Sequence, residues 1–230
     1  MNIIYLLFHG LSPYSGISKK ILHQVKGFEA CGHRVSLCTY SIADNGHRVR
    51  MINNEIIEDY GTGKPAAAKR RVSYQCIYRY AVTHQVELIY VRSFHNANPF
   101  TIRLFSKLRK AGIKIAMEIP TYPYDSEYAG FPLVTRLGIQ VDKVFRKTLA
   151  KHVNAIVTFS DYHCIFGQRT IQISNGVDFD SIPLKKTVSK NTSVIHLLGV
   201  AEVHYWHGYD RLIEGFGKYY QGPANTTVFF

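Results

Sequence analysis

The stretch His9-Gly10-Leu11-Ser12-Pro13-Tyr14-Ser15-Gly16 joins an apolar run to a helical pattern. Small residues there let the backbone come close to a ligand. The helix that follows offers free N–H groups to an anion or to a developing negative charge. Only Gly10 and Gly16 supply glycine, so this is no dinucleotide-binding G-x-G-x-x-G, and a tight strand-to-helix turn explains it equally well. Glu118 closes another apolar run. A carboxylate at a strand end accepts hydrogen bonds from sugar hydroxyls or acts as a base; the plain alternative is a surface carboxylate. Tyr122, Tyr124, Asp125, Glu127 and Tyr128 follow in a turn-rich stretch. Aromatic rings in such a loop stack on a sugar face or pack the loop against its own domain.

Other chemistries find less support. The histidines number 11, yet the nearest approach to metal spacing is His204 and His207, without acidic or cysteine companions, so no metal site is expected. No serine lies in a G-x-S-x-G elbow. Cys31, Cys38, Cys76 and Cys164 are scattered with no C-x-x-C, which predicts buried, reduced thiols in a cytoplasmic protein. The apolar run at 3–8 has no basic segment before it and reads as a buried strand, not a secretory signal. It is also far short of the ~18 residues of a membrane-spanning helix. The formal charge of +12 invites nucleic acid, an anionic membrane surface or a phosphorylated small substrate as partner. No nucleic-acid module is recognisable, which leaves a solvated basic surface, a membrane or a phosphate.

The elements that must position these residues alternate from the start. Strand patterns occupy 3–8, 33–40, 86–91, 113–118, 155–159 and 171–174, with turns and a short further strand around 49–57. Helical spacing links Ile17, Ile21, Leu22, Val25 and Phe28, and further helices are expected over 66–80, 99–110 and 133–153. In the last of these, Val134, Leu137, Val141, Val144, Phe145 and Leu149 form one apolar stripe, with Lys143, Arg146, Lys147 and Lys151 largely off it. Such a helix lies on an anionic leaflet or is an ordinary surface helix. After a polar stretch, a strand at 194–198, a helix at 209–220 and a strand at 225–230 are expected. This alternation predicts an α/β fold: a Rossmann-like parallel sheet with helices on both faces. Ligands in such sheets bind beyond the carboxyl ends of the strands, so the site loops are 9–16, 92–98, 118–125, 160–163 and 199–207.

In order along the chain, several motifs resemble the retaining GT-B glycosyltransferases of family 4, the glycosyl transferases group 1 type. Ile4-Tyr5-Leu6 with Gly16-Ile17-Ser18-Lys19-Lys20-Ile21 resembles the opening strand, glycine loop and first helix. Gly32-His33-Arg34-Val35 resembles the G-H-x-V entry to the second strand, and Ile156-Val157-Thr158-Phe159-Ser160 the strand that closes the N-domain. Ile173-Ser174-Asn175-Gly176-Val177-Asp178 is similar to the I-x-N-G-V-D junction. His207-Gly208-Tyr209-Asp210-Arg211-Leu212-Ile213-Glu214-Gly215-Phe216 is similar to the K-G-x-D-x-L-I-x-A-F start of the donor domain. The loop at 118–125 further resembles bacterial surface-polysaccharide enzymes.

The resemblance implies a GT-B N-terminal, acceptor-side domain over 1–178, a linker over 179–192 and an incomplete donor-binding domain over 193–230. It implies a nucleotide-sugar donor, a glycan or lipid-linked acceptor, no cofactor and no required metal. The protein would be cytoplasmic, with peripheral contact at the inner face of the cell membrane as an option, and would bind no nucleic acid. Gly16 and Glu118 take the catalytic positions; Glu118 stands where many relatives have a histidine. Donor contacts fall to Ser15, Gly16, Gly199, His207 and Arg211, with Val200 and His207 standing where relatives carry an arginine and a lysine for the diphosphate. Acceptor contacts fall to Tyr14, Arg92, Tyr122 and Asp125. The family's paired glutamates of the donor site are absent, so a C-terminally truncated enzyme, inactive alone, is expected. The alternatives are a non-catalytic acceptor-binding module or one half of a split enzyme.

Overall fold

A computed structural model describes residues 1–93, 95–125, 132–182, 199 and 207–219. The chain divides into two compact units, Met1–Ile182 and Pro183–Phe230. In the first, strands and helices follow as β1 (Asn2–Leu6), α1 (Gly16–Ala30), β2 (Arg34–Ile42), β3 (Arg48–Ile52), β4 (Glu55–Asp59), α2 (Gly63–Val72), α3 (Gln75–Thr83), β5 (Leu88–Arg92), α4 (Pro99–Lys110), β6 (Lys114–Ile119), α5 (Leu133–Ala150), β7 (Ala155–Thr158), β8 (Cys164–Ile165) and β9 (Gln168–Gln172). The sheet order is β4-β3-β2-β1-β5-β6-β7-β9-β8. Here β1 pairs in parallel with both β2 and β5, so the winding reverses between β1 and β5. That reversal opens a crevice at the carboxyl ends of these strands.

The near-continuous apolar character of the central strands follows from burial on two faces. On one face Ile3, Tyr5, Leu7, Tyr90 and Val157 pack with Ile21, Val25 and Phe28 of α1. On the other, Ile4, Leu6, Ile89, Ile115 and Met117 pack with Ile77 of α3, Leu104, Phe105 and Leu108 of α4, and Leu149 of α5. The sheet is Rossmann-like but mixed, not wholly parallel. β3 and β4 extend one edge antiparallel, and β8 pairs antiparallel with β9 at the other. Two-residue turns, Asn53-Asn54 and Phe166-Gly167, hold left-handed backbone and join adjacent strands, which forces antiparallel pairing. The β8–β9 hairpin adds pairing between 159 and 171, where no strand is expected from pattern.

The helix expected over 99–110 forms with those bounds. Asn98 accepts from the N–H groups of Phe100 and Thr101, and Pro99 fills the first turn, where no hydrogen bond is lost. The single helix expected over 66–80 is instead two. Ser73 is extended (φ −100°, ψ 109°), which ends α2 and turns α3 so that Cys76, Ile77 and Ala81 enter the core. The stripe read along α5 is also corrected. Leu137, Val141 and Val144 are exposed, while Ile139, Asp142, Leu149 and Ala150 are buried. Of the four cysteines, Cys38 and Cys76 are buried and Cys31 and Cys164 exposed; all are free.

Within the second unit, α6 (Tyr209–Tyr219) lies in the expected place. The strands expected at 194–198 and 225–230 lie outside the described residues, as do Glu127, Tyr128, Val200 and His204. Among the described residues, no helix is long and apolar enough to cross a membrane.

Candidate functional site

The carboxyl ends of β1, β5 and β6 enclose a cleft of about 670 Å³, walled by the loops after those strands and by the first turns of α1. Three of the five expected loops, at 9–16, 92–98 and 118–125, thus converge. In the first, Gly10 lies hard against β2: a Cβ there would stand 2.8 Å from the Tyr40 carbonyl oxygen. Ser15 caps α1, its hydroxyl accepting from the Ser18 N–H at 3.4 Å. The Ser18 hydroxyl in turn accepts from the Ser12 N–H at 2.9 Å, which ties the loop down on the helix. Ser15 and Gly16 line the cleft as expected. The amides at the start of a helix lack intrahelical partners, so those of Gly16 and Ile17 form a cradle for an anion. Tyr14 is almost fully exposed and is not part of the cleft wall.

Lys20 adds a cation one turn into α1. Its ammonium lies 3.5 Å from the centre of the Phe159 ring and donates to Asn175 Oδ1 at 2.7 Å. Burial, reinforced by Arg92 and opposed by Glu118, holds Lys20 below its ordinary value.

Glu118 has no exposed surface, and both carboxylate oxygens are engaged. Oε1 accepts from Arg92 Nη1, and Oε2 accepts from the Tyr90 hydroxyl at 2.7 Å and from Gln24 Nε2 at 2.9 Å. The Tyr5 hydroxyl completes the network by donating to Gln24 Oε1 at 2.6 Å. Burial, and after it the Glu118 charge, push the Tyr5 and Tyr90 phenols up. In this arrangement Glu118 is a strut beneath the cleft that orients Arg92, and Arg92 itself reaches the wall.

A second buried carboxylate pins the other two loops. Asp142 of α5 accepts from the Ala97 N–H at 2.9 Å and from the Tyr124 hydroxyl at 2.8 Å. His95, in left-handed backbone (φ 47°), packs its ring 4.8 Å from that of Tyr124 and lines the cleft. Asp125 pairs with Arg146 at 2.7 Å, away from the cleft wall, and Tyr122 packs edge-on against Tyr162 and Phe166. Of the acceptor candidates, then, only Arg92 lines the cleft. Lys20 and His95 join it unforeseen. The signals were available: Lys20 stands four positions after Gly16, on one helical face, and His95 lies inside the loop 92–98.

Burial lowers His95 below its ordinary value of 6.5, with Asp142 and Asp125 opposing. An unfolded His95 takes up a proton before the folded one as pH falls below 6.5. Stability is therefore undiminished above 6.5 and declines as pH falls from there through the folded value. The His95 Cε1 proton is expected to titrate with a midpoint below 6.5, and His95→Gln to flatten stability against pH in that window. His152, lowered by burial and by Arg109, contributes with the same sign, so the difference between variant and wild type isolates His95. A midpoint at or above 6.5 refutes the assignment.

In the second unit, Gly199, His207 and Arg211 gather at the start of α6. A Cβ on Gly199 would meet the Tyr209 ring at 2.6 Å, and one on Gly208 the Arg211 guanidinium at 2.7 Å. The His207 ring lies 6.2 Å from that of Tyr209. Among the described residues, no group of three histidine, cysteine or acidic side chains is placed to hold a metal ion. No family model matches the sequence, and no curated protein matches it.

Proposed function

We propose that the chain is a glycosyltransferase of the GT-B type, with Met1–Ile182 as its acceptor-side Rossmann-like domain, acting on a nucleotide-sugar and a glycan or lipid-linked acceptor in bacterial polysaccharide biosynthesis. The observation that carries the reading is the cleft at the β1/β5 switch point, which combines the α1 amides, Lys20 and two histidines with the hydroxyls of Ser12, Ser93 and Thr121. In this reading the donor diphosphate meets the amides of Gly16 and Ile17. The helix dipole and Lys20 offset the negative charge that builds on the departing diphosphate. His95, on the cleft wall beside Tyr124, borders the bound sugar or acceptor. Arg92, held by Glu118, borders the acceptor. The excess of basic residues suits an acceptor presented at an anionic membrane surface.

The test is calorimetric titration of the full chain with UDP- and GDP-sugars, alongside an assay for their hydrolysis. One of these donors is expected to bind, and Lys20→Gln to weaken it about tenfold through loss of a charge-assisted contact. Absence of any nucleotide-sugar binding, with a glycan still bound, would leave only the non-catalytic acceptor-binding module.

A further inference from the structure

The face of β2 and β3 beneath α2 carries guanidinium groups with no paired carboxylate among the described residues. Arg50 is 1% exposed; its Nη1 donates to the Leu7 carbonyl at 2.7 Å, and its buried Nε has no hydrogen-bond partner there. Directly across the strand pair from Arg50 stands Tyr40. The Tyr40 hydroxyl accepts from Arg48 Nη1 at 2.7 Å, and the Arg70 guanidinium of α2 lies 4.2 Å from the centre of its ring. The Nε of Arg70 is likewise buried without a hydrogen bond among the described residues. Glu58 of β4 stands across from Arg50 on its other side, but its carboxylate lies against Lys69 and Arg79, and Asp59 engages His47 and the Gly61 N–H.

Ionised groups taken out of water are ordinarily paired. The Leu7 carbonyl, the Tyr40 ring and hydroxyl, the Phe8 ring and the Tyr60 hydroxyl are neutral partners and supply no counter-charge to this cluster. Burial and the nearby Arg71, Arg48 and Arg50 push Arg70 below its ordinary value, against the Tyr40 phenol. Arg48 and Arg70 are half-buried, so part of each side chain meets solvent. Guanidinium forks arriving from a strand and a helix suit the several oxygens of one multiply charged group.

We propose that Arg48 and Arg70, backed by the buried Tyr40 and Arg50, form a binding site for a phosphoryl group, separate from the α1 amides. The site borders the cleft, because the Tyr40 N–H donates to the His9 carbonyl at 3.3 Å and Gly10 packs on the Tyr40 carbonyl. Both His9 and Gly10 belong to the cleft wall. A ligand spanning the His9–Gly10 loop therefore places a phosphate on the arginines and its other end in the cleft. Resting on the glycosyltransferase reading, the acceptor is then a phosphorylated or diphosphate-linked glycan.

The test is calorimetric titration of the full chain with inorganic pyrophosphate, together with flotation on phosphatidic acid vesicles against phosphatidylcholine vesicles. Arg48→Gln and Arg70→Gln, half-buried sites whose folding is checked by circular dichroism, are each expected to weaken phosphoryl binding about tenfold. An effect on free pyrophosphate identifies a soluble phosphate as sufficient; an effect only on phosphatidic acid flotation identifies a phosphate carried by a lipid. Either result supports the site. Binding that survives both arginine variants but is lost in Lys20→Gln puts the anion at α1 and overturns the proposal, leaving the glycosyltransferase reading intact. No binding to either probe by the wild type also overturns it. If nucleotide-sugars fail to bind while the arginine variants still lose pyrophosphate, the glycosyltransferase reading falls and this site stands.

Discussion

Glu118→Ala is expected to destabilise the protein by about 3–5 kcal/mol, because it strands the Arg92 guanidinium in the interior without its counter-charge. Glu118 has no exposed surface and Arg92 only 6%. The same substitution removes the acceptor for the Tyr90 hydroxyl and for Gln24 Nε2. Those donors lie between the sheet and α1, where unmet hydrogen bonds are costly. Removing both charges at once is a different perturbation. Glu118→Leu combined with Arg92→Met leaves no orphaned ion and is expected to recover the part of the loss owed to the stranded charge, but not the part owed to the Tyr90 hydroxyl and Gln24 Nε2. Urea denaturation followed by circular dichroism measures both. A cost below about 1 kcal/mol for Glu118→Ala, the value of a surface pair, would mean that the pair is not the strut described.

Asp142→Ala carries the second large effect, expected at about 2–3 kcal/mol from the loss of two buried hydrogen bonds to a carboxyl group. The reach of this change exceeds its energy. One oxygen of Asp142 holds the Ala97 amide in the loop after β5, and the other holds the Tyr124 hydroxyl in the loop after β6. Both loops wall the cleft, and His95 packs on Tyr124. Exchange of the Ala97 amide with solvent deuterium is expected to accelerate, and ligand affinity at the cleft to fall with it. Asp142→Asn, which keeps a carbonyl acceptor, is expected to restore much of the protection. Unchanged exchange in Asp142→Ala would show that the loops are positioned by packing alone.

Much of the scaffold is legible in the sequence. Alternating apolar runs and helical spacings locate β1, β2, β5, β6, β7, α1 and α4, since each depends on residues close in sequence. The carboxyl-edge rule also pointed to the loops that form the cleft. Glu118 shows where this reading stops. Its position at a strand end was visible, but its partner Arg92 is 26 residues away and Gln24 is 94 away, so its role as a buried strut was not. The same holds for α5, where Leu137, Val141 and Val144 obey helical spacing yet face solvent, while polar Asp142 faces in.

Sequence alone therefore determined that alternating strands and helices wind into a sheet buried on both faces, with small residues and a helix start after the first strand. Patterns of period two and 3.6 record which side chains avoid water locally, and that suffices for elements and their order. Only the tertiary structure decided which stripe of α5 is covered, where the helix breaks at Ser73, and that Lys20, Arg92 and His95 share one cleft. It alone gathered Arg48, Arg50 and Arg70 around Tyr40. Those outcomes depend on charges and hydrogen bonds between residues far apart in the chain, whose meeting is set by the order of strands in the sheet.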